Sequence, residues 1–234
     1  MIPLNTQPAE RRVEQSIPAG LIELVHVWYT IQGEGPLTGT PAIFIRLAGC
    51  NLRCNQCDTN YTEGRRYVTP AEVVQQVASM GRKSKDLVVL TGGEPFRQPI
   101  GDLVRELVLA EHPVQIETNG TLYRDDLPYA SDLLTIVCSP KVLSIAEELK
   151  PHIHSLKYVV SDGLVDDDGL PIITLGSTRP ARPWAGFRGD VFIQPADEPA
   201  SPAKTSANLE TAKAVAMKHG YRLSLQTHKL LGVE

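Results

Sequence analysis

Short apolar runs rich in Val, Ile and Leu alternate along this chain with longer stretches whose apolar positions recur every three to four residues. The short runs predict strands over residues 22–28, 42–47, 87–90, 114–117, 133–137, 155–160, 190–193 and 222–225. The longer stretches predict helices. In "TPAEVVQQVASMG" (69–81), Thr69 fits the N-cap, Pro70 the first helical position, and Glu72 completes a capping box. Val73, Val74, Val77 and Met80 then share one face, and Gly81 ends the helix. "IGDLVRELVLAEH" repeats the pattern through Leu103, Val104, Leu107 and Val108. "SANLETAKAVAMKHG" does so through Leu209, Ala212, Val215 and Ala216, with Gly220 as its stop. The strand–helix–strand order favours parallel βαβ units and an α/β fold.

Small, polar and charged residues sit where the strands end. "TGGEP" follows 87–90, "TNG" follows 114–117, "SPK" follows 133–137, and "SDG" follows 155–160. "QPAD" and "QTHK" follow the last two strands. In parallel sheets and barrels the carboxyl ends of the strands are where sites are built, so these segments predict one shared site. Residues 1–20 are polar and proline-punctuated and read as a mobile arm or loosely docked tail, leaving 21–234 as a single domain. Residues 162–186, acidic and rich in Gly and Pro, read as a long loop or lid.

Composition narrows the class further. Of 234 residues, 42% are hydrophobic and 21% charged, ordinary for a globular domain. The net charge of −4 lacks the basic excess of a nucleic-acid-binding surface. No apolar run approaches the roughly 20 residues that span a bilayer, and the first twenty residues carry no apolar signal-peptide core. The expected compartment is the cytoplasm, where thiols stay reduced and clustered cysteines point to metal or redox chemistry.

Three of the four cysteines are clustered in "AGCNLRCNQCDTNY", as Cys50, Cys54 and Cys57 with spacing C-x3-C-x2-C. Thiolates select iron–sulfur clusters or zinc. A closed zinc site needs a fourth ligand. Cys138 reads as a buried thiol, whereas Asp58 or His228 could complete a zinc set, so that alternative stays open. A disulfide among three neighbours would strand one thiol and gain little loop entropy. On a [4Fe–4S] cluster, three cysteines leave one iron free to bind a small molecule.

That cysteine spacing, followed by "GGEP" after the next strand, resembles the radical S-adenosylmethionine enzymes. "YTIQGEG", "FIRLAGCNLRCNQCDT", "LTGGEP", "SPK", "QPAD" and "QTHKLLGVE", in that order from about residue 27 to the last residue, resemble the 7-carboxy-7-deazaguanine synthase family. The resemblance implies a modified, incomplete (β/α) TIM-like barrel of the radical SAM type. It implies a lyase that converts 6-carboxy-5,6,7,8-tetrahydropterin to 7-carboxy-7-deazaguanine with loss of ammonia, on the route to queuosine in tRNA modification. A [4Fe–4S] cluster on Cys50, Cys54 and Cys57, S-adenosylmethionine and Mg2+ are the implied cofactors. The implied partners are the pterin, a second copy of the chain in a homodimer, and an electron donor such as flavodoxin, with neither nucleic acid nor membrane.

Carried over residue by residue, the resemblance places S-adenosylmethionine against Gln56, Cys57, Asp58, Gly93, Glu94, Ser139, Pro140, Lys141, Gln194, Pro195, Ala196 and Asp197. Glycines at 92 and 93 would let the backbone approach this ligand, and Glu94 would accept from its ammonium. Ile31, Gln32, Gly33, Glu34, Arg46, Thr91, His228 and Glu234 would hold the pterin, with Arg46 offering a fork to its carboxylate. Thr59 would bind Mg2+. Thr118 and Asn119 are further candidates near S-adenosylmethionine.

Several other residues read as structural. His152 and His154 have metal-like spacing but read as solvated, and His26 as a satisfied, partly buried histidine. Trp28 and Tyr29 read as core or rim packing, and Asp166–Asp168 as a solvated turn. Two rival functions would share parts of this pattern. A glycyl-radical activase would need the cysteines and "GGEP" but not "YTIQGEG" or the C-terminal tail. A zinc-stabilised binding protein would need only the cysteines.

Overall fold

The computed structural model describes residues 5–10, 17–81, 85–175 and 178–233. Its elements in chain order are β1 (Ile22–Ile31), β2 (Pro41–Leu47), β3 (Arg66–Val68), α1 (Pro70–Met80), β4 (Leu87–Gly92), α2 (Gly101–Leu109) and β5 (Val114–Thr118). They continue as β6 (Leu134–Cys138), β7 (Ser155–Val160), β8 (Asp190–Pro195), α3 (Pro202–His219), β9 (Arg222–Leu223) and α4 (Thr227–Leu231). One sheet holds all these strands in the order β3-β1-β2-β4-β5-β6-β7-β8-β9. From β2 to β9 every neighbour pair is parallel, which confirms the α/β reading. The two outer strands at one edge differ: β1 runs antiparallel to β2, and the short β3 antiparallel to β1. The curl has two open edges, as an incomplete barrel should.

Local chemistry explains the helix ends. Thr69 Oγ1 accepts from the Glu72 N–H, and the Glu72 carboxylate accepts from the Thr69 N–H, so the capping box forms as the sequence predicts. Gly220 ends α3 in the left-handed region at φ 72°, where a side chain would be strained. α2 has no side-chain cap at Ile100. A cap contributes about 1 kcal/mol, whereas burying one Leu or Val contributes about 1.5–3 kcal/mol. Leu103, Val104 and Leu107 are fully buried, so packing outweighs the missing cap.

Several expectations are corrected. Met80 lies off the buried face of α1 and is 37% exposed, because the core ends at Val77. His152 is partly buried and stacks on Tyr129 with ring centroids 3.9 Å apart, whereas His154 is exposed, as expected, and its ring accepts from the Ile136 N–H. His26 is exposed and stacks on Trp28. Asp166–Asp168 do form a partly exposed turn, in which Asp166 and Asp168 also pair with Arg179 and Arg182. Of the N-terminal arm, residues 5–10 are docked and pack along the cysteine loop.

Candidate active site

The carboxyl ends of the parallel strands open into a cleft of about 530 Å3. Cys50, Cys54 and Cys57 line one end of it, on the irregular segment between β2 and β3. The close approach of "TGGEP" fixes that segment. Gly93 donates to the Leu47 carbonyl and Glu94 donates to the Gly49 carbonyl at 3.0 Å. A Cβ on Gly93 would overlap the Gly49 carbonyl, so only glycine lets the two backbones meet here. Asn119 ties the β5 loop to the same segment through Asn51, at 2.9 Å.

The donor set fits a [4Fe–4S] cluster. None of the cysteines is in a disulfide. Burial pushes Cys50 up to about 12, with Glu94 adding to the rise, and burial likewise raises Cys57. Thiols so disfavoured as thiolates need a strongly cationic partner, which cluster iron supplies. A cubane takes one thiolate at each of three irons. Its ligands therefore need not converge on a point, and among the described residues no three His, Cys, Asp or Glu side chains do.

Most of the predicted cofactor residues do line the cleft. Gln56, Asp58 and Thr59 follow Cys54 along its wall, with the Thr59 hydroxyl 3.4 Å from the Asp58 carboxylate. Ser139 and Lys141 face it from the end of β6, and Lys141 donates to both oxygens of Ser139. Burial pulls the Lys141 ammonium below its ordinary value. Gln194, Pro195, Ala196 and Asp197 line the end of β8. Pro140 is buried outside the lining. Glu94 is also not in the wall: it is fully buried and accepts from Phe96 N–H, Thr118 Oγ1 and Asn119 N–H. Its carboxylate locks the "TGGEP" loop to the β5 loop, and burial raises its pKa.

Another part of the cleft wall is built from charge. Glu34 pairs with Lys157 and accepts from Gln226 Nε2 at 2.7 Å. Burial opposes the ionised form of Glu34, yet Lys157 and Gln226 hold its carboxyl down to about 2. Glu117 accepts from Gln32 Nε2, Gln115 Nε2 and Thr91 Oγ1 at 2.9–3.2 Å. Ile31, Gln32, Glu34 and Thr91 line the cleft. Arg46 joins them, its guanidinium 4.7 Å over the Trp28 ring and its buried Nε without a hydrogen-bond partner.

α4 closes this part. Thr227 donates to the Gly33 carbonyl, and a Cβ on Gly33 would overlap His228. Gly33 thus lies beneath the tail rather than in the lining, while His228 faces the cleft. Burial lowers the His228 pKa. Lys229 bridges Asp197 at 2.9 Å and Asp58 at 3.7 Å, joining the two walls. Glu234 lies outside the described residues.

Sequence reasoning missed Lys157, Glu117, Trp28 and Lys229 as lining residues. A lysine inside the apolar run "SLKYVV" and a glutamate at the end of "VQIE" were the available signals. Neither residue type is buried without a partner, so each implied one elsewhere.

Comparison with known proteins bears on these observations. Residues 44–154 match the Radical SAM superfamily. The chain is 45% identical over 216 residues to a 7-carboxy-7-deazaguanine synthase of Rhodospirillum rubrum, covering 88% of this chain and 90% of that protein. It is 42% identical over 223 residues to the synthase of Rickettsia prowazekii, covering 91% and 89% respectively. The fold is similar to the crystal structure of QueE from Escherichia coli, with a TM-score of 0.65 at 21% identity. That match covers 88% of this chain and 93% of the other.

Proposed function

The chain belongs to the 7-carboxy-7-deazaguanine synthase family, and from that membership we propose how its cleft divides the work. It is a radical S-adenosylmethionine lyase that makes 7-carboxy-7-deazaguanine from 6-carboxy-5,6,7,8-tetrahydropterin with loss of ammonia, using a [4Fe–4S] cluster and S-adenosylmethionine. When bound, the cluster and S-adenosylmethionine supply a one-electron cleavage and the hydrogen-abstracting radical that it yields.

Cys50, Cys54 and Cys57 hold the cluster. Gly93, Gln56 and Asp58 form the adjoining wall for S-adenosylmethionine, with Ser139 and Lys141 beside its carboxylate and Gln194 to Asp197 beside the nucleoside. Glu94 acts indirectly, by fixing the loop that carries Gly93, and Pro140 by shaping the turn between Ser139 and Lys141.

The pterin occupies the charged end. One observation carries this assignment: the cleft sets two carboxylates, Glu34 and Glu117, near a guanidinium whose buried Nε lacks a partner. A pterin presents N–H donors along its pyrimidine edge and here carries a carboxylate on the other ring. Glu34, Glu117 and Gln32 accept from the donors, and Thr91 steadies Glu117. Arg46, flattened on Trp28, takes the carboxylate through its fork. His228 and Gly33 close the tail over the ring and exclude water, with Glu234 a further pterin contact by resemblance. Thr59, with the substrate carboxylate, would hold Mg2+, which keeps most of its waters and needs few protein oxygens.

The protein works as a cytoplasmic homodimer reduced by a donor such as flavodoxin. Among the described residues no helix is long and apolar enough to cross a membrane. Anaerobic turnover tests the whole reading, with reconstituted protein, reductant, S-adenosylmethionine, Mg2+ and 6-carboxytetrahydropterin. Carboxydeazaguanine together with 5′-deoxyadenosine is the expected result. Deoxyadenosine alone, at the rate seen without pterin, would overturn the substrate assignment.

A further inference from the structure

Residues 5–10 belong to no motif that carries the reaction, yet they meet the backbone beside all three cysteines. Glu10 N–H donates to the Cys50 carbonyl at 2.6 Å. Asn5 donates from its N–H to the Asn55 carbonyl at 2.9 Å and from Nδ2 to the Cys54 carbonyl at 3.1 Å. Gln7 Nε2 donates to the Thr59 carbonyl at 2.9 Å, the same oxygen that faces the Cys57 thiol at 3.7 Å. Gln7 Oε1 accepts from Tyr61 N–H and Thr62 Oγ1. The loop has no helix or strand between β2 and β3, so contacts of this kind decide its shape.

Charge anchors the same segment. Glu10 bonds Arg97 at 2.5 Å and Arg65 at 2.6 Å, and Glu23 bonds Arg97 at 3.1 Å. Arg97 is 2% exposed, donates to the Ala48 carbonyl, and lies against Gly49 beside the first cysteine. Glu10, Glu23, Arg65 and Arg97 balance formally. Without Glu10, a net positive charge would sit under the loop.

We propose that residues 5–10 are a strap that pre-positions the three cysteines for the cluster, with Gln7 and Glu10 as its positioning residues. The strap fixes the peptide groups beside each thiolate before iron arrives, and its carboxylate sets the local charge that the cluster meets. This rests on Cys50, Cys54 and Cys57 being the cluster ligands.

The test uses the full chain as wild type, Gln7→Ala, Glu10→Gln, and Glu10→Gln combined with Arg65→Gln. In the cluster-free proteins, iodoacetamide should alkylate the loop cysteines about tenfold faster in Gln7→Ala, since the partly buried bonds that hold the loop closed are lost. After reconstitution, iron release to a chelator should quicken about tenfold, while the melting temperature and the KM for the pterin stay at wild-type values. Glu10→Gln should raise the cluster's reduction potential, because a negative charge is removed nearby. The double variant, which restores neutrality, should bring the potential back toward wild type. Wild-type alkylation and iron-release rates in Gln7→Ala would overturn the strap. So would a fall in melting temperature that accounts for the faster rates. Absence of iron from the reconstituted wild type would overturn the ligand assignment, and the strap with it.

Discussion

Two parts of the cleft wall are built by different means. At the cysteine loop the wall itself is backbone, laid over the Glu10–Arg97–Glu23 charges beneath it: Gly93 against Gly49, carbonyls beside each cysteine capped by residues 5–10, and the Gln56 N–H bonded to the Leu175 carbonyl. In the other part the wall is charge: Glu34 against Lys157, Glu117 beneath Gln32 and Thr91, and Arg46 on Trp28. A cluster needs fixed positions and room for a cofactor, which close backbone contacts provide. A pterin needs particular acceptors held ionised in a dry cleft, which paired charges provide. The difference teaches that each part should fail in its own way.

The largest expected effect is at the backbone end. Gly93→Ala forces the "TGGEP" loop off the cysteine segment, and a misplacement of about 1 Å costs on the order of 100-fold in rate. Iron analysis and turnover should fall together. Retained iron with wild-type turnover would show that the two backbones do not need to meet.

Breaking the charged end comes next. Lys157→Met leaves Glu34 without its buried partner, a loss of about 3 kcal/mol in stability, read by denaturant unfolding. The KM for the pterin should rise while iron content stays at the wild-type level. A variant that lost iron first would erase the contrast between the two ends.

A milder cut separates the tail from the charge. Gly33→Ala pushes His228 and α4 outward, so the pterin KM should rise about tenfold, the value of one lost interaction of about 1.4 kcal/mol. Iron content and uncoupled cleavage of S-adenosylmethionine should not change. Equal loss of both activities would show that the tail also serves the cofactor end.

A further effect is in the pH dependence of stability. Glu34 has its carboxyl depressed from 4.5 to about 2. Its contribution is therefore fully present above the unfolded value and is lost as pH falls from about 4.5 toward 2. Comparing wild type with Lys157→Met over that window by thermal unfolding should show a steeper loss in wild type. Parallel curves would mean that Lys157 does not hold Glu34 ionised.

Much of the cysteine end was legible in the chain itself. C-x3-C-x2-C and "TGGEP" are local patterns, and their chemistry needs little beyond spacing and the freedom of glycine. The strands were legible for the same reason, since apolar runs predict buried β-structure wherever they fall. The strand over 222–225 shrank to Arg222–Leu223, and Arg66–Val68 was missed, because short edge strands depend on their neighbours more than on their own pattern. The antiparallel β1 escaped a pattern that predicted parallel units, since periodicity carries no direction.

Glu94 shows a different limit. Its motif marks it as a cofactor residue by resemblance, while the fold also sets its carboxylate to accept from Phe96, Thr118 and Asn119. Only the packing of β4 beside β5 could reveal that. Residues 5–10, polar and with a single proline, read as loose because their partners on the cysteine loop are far away in the sequence. Those partners lie forty residues or more away.

The sequence by itself determined the α/β class, the three thiols on one loop, and the ordered motifs at the strand ends. These are local, and local chemistry is readable along a chain. The tertiary structure decided that Lys157 meets Glu34 across 123 positions, that Glu117 lies beneath Gln32, and that residues 5–10 cover the cysteine loop. Burial and pairing depend on which distant strands become neighbours, and only the folded sheet brings them together.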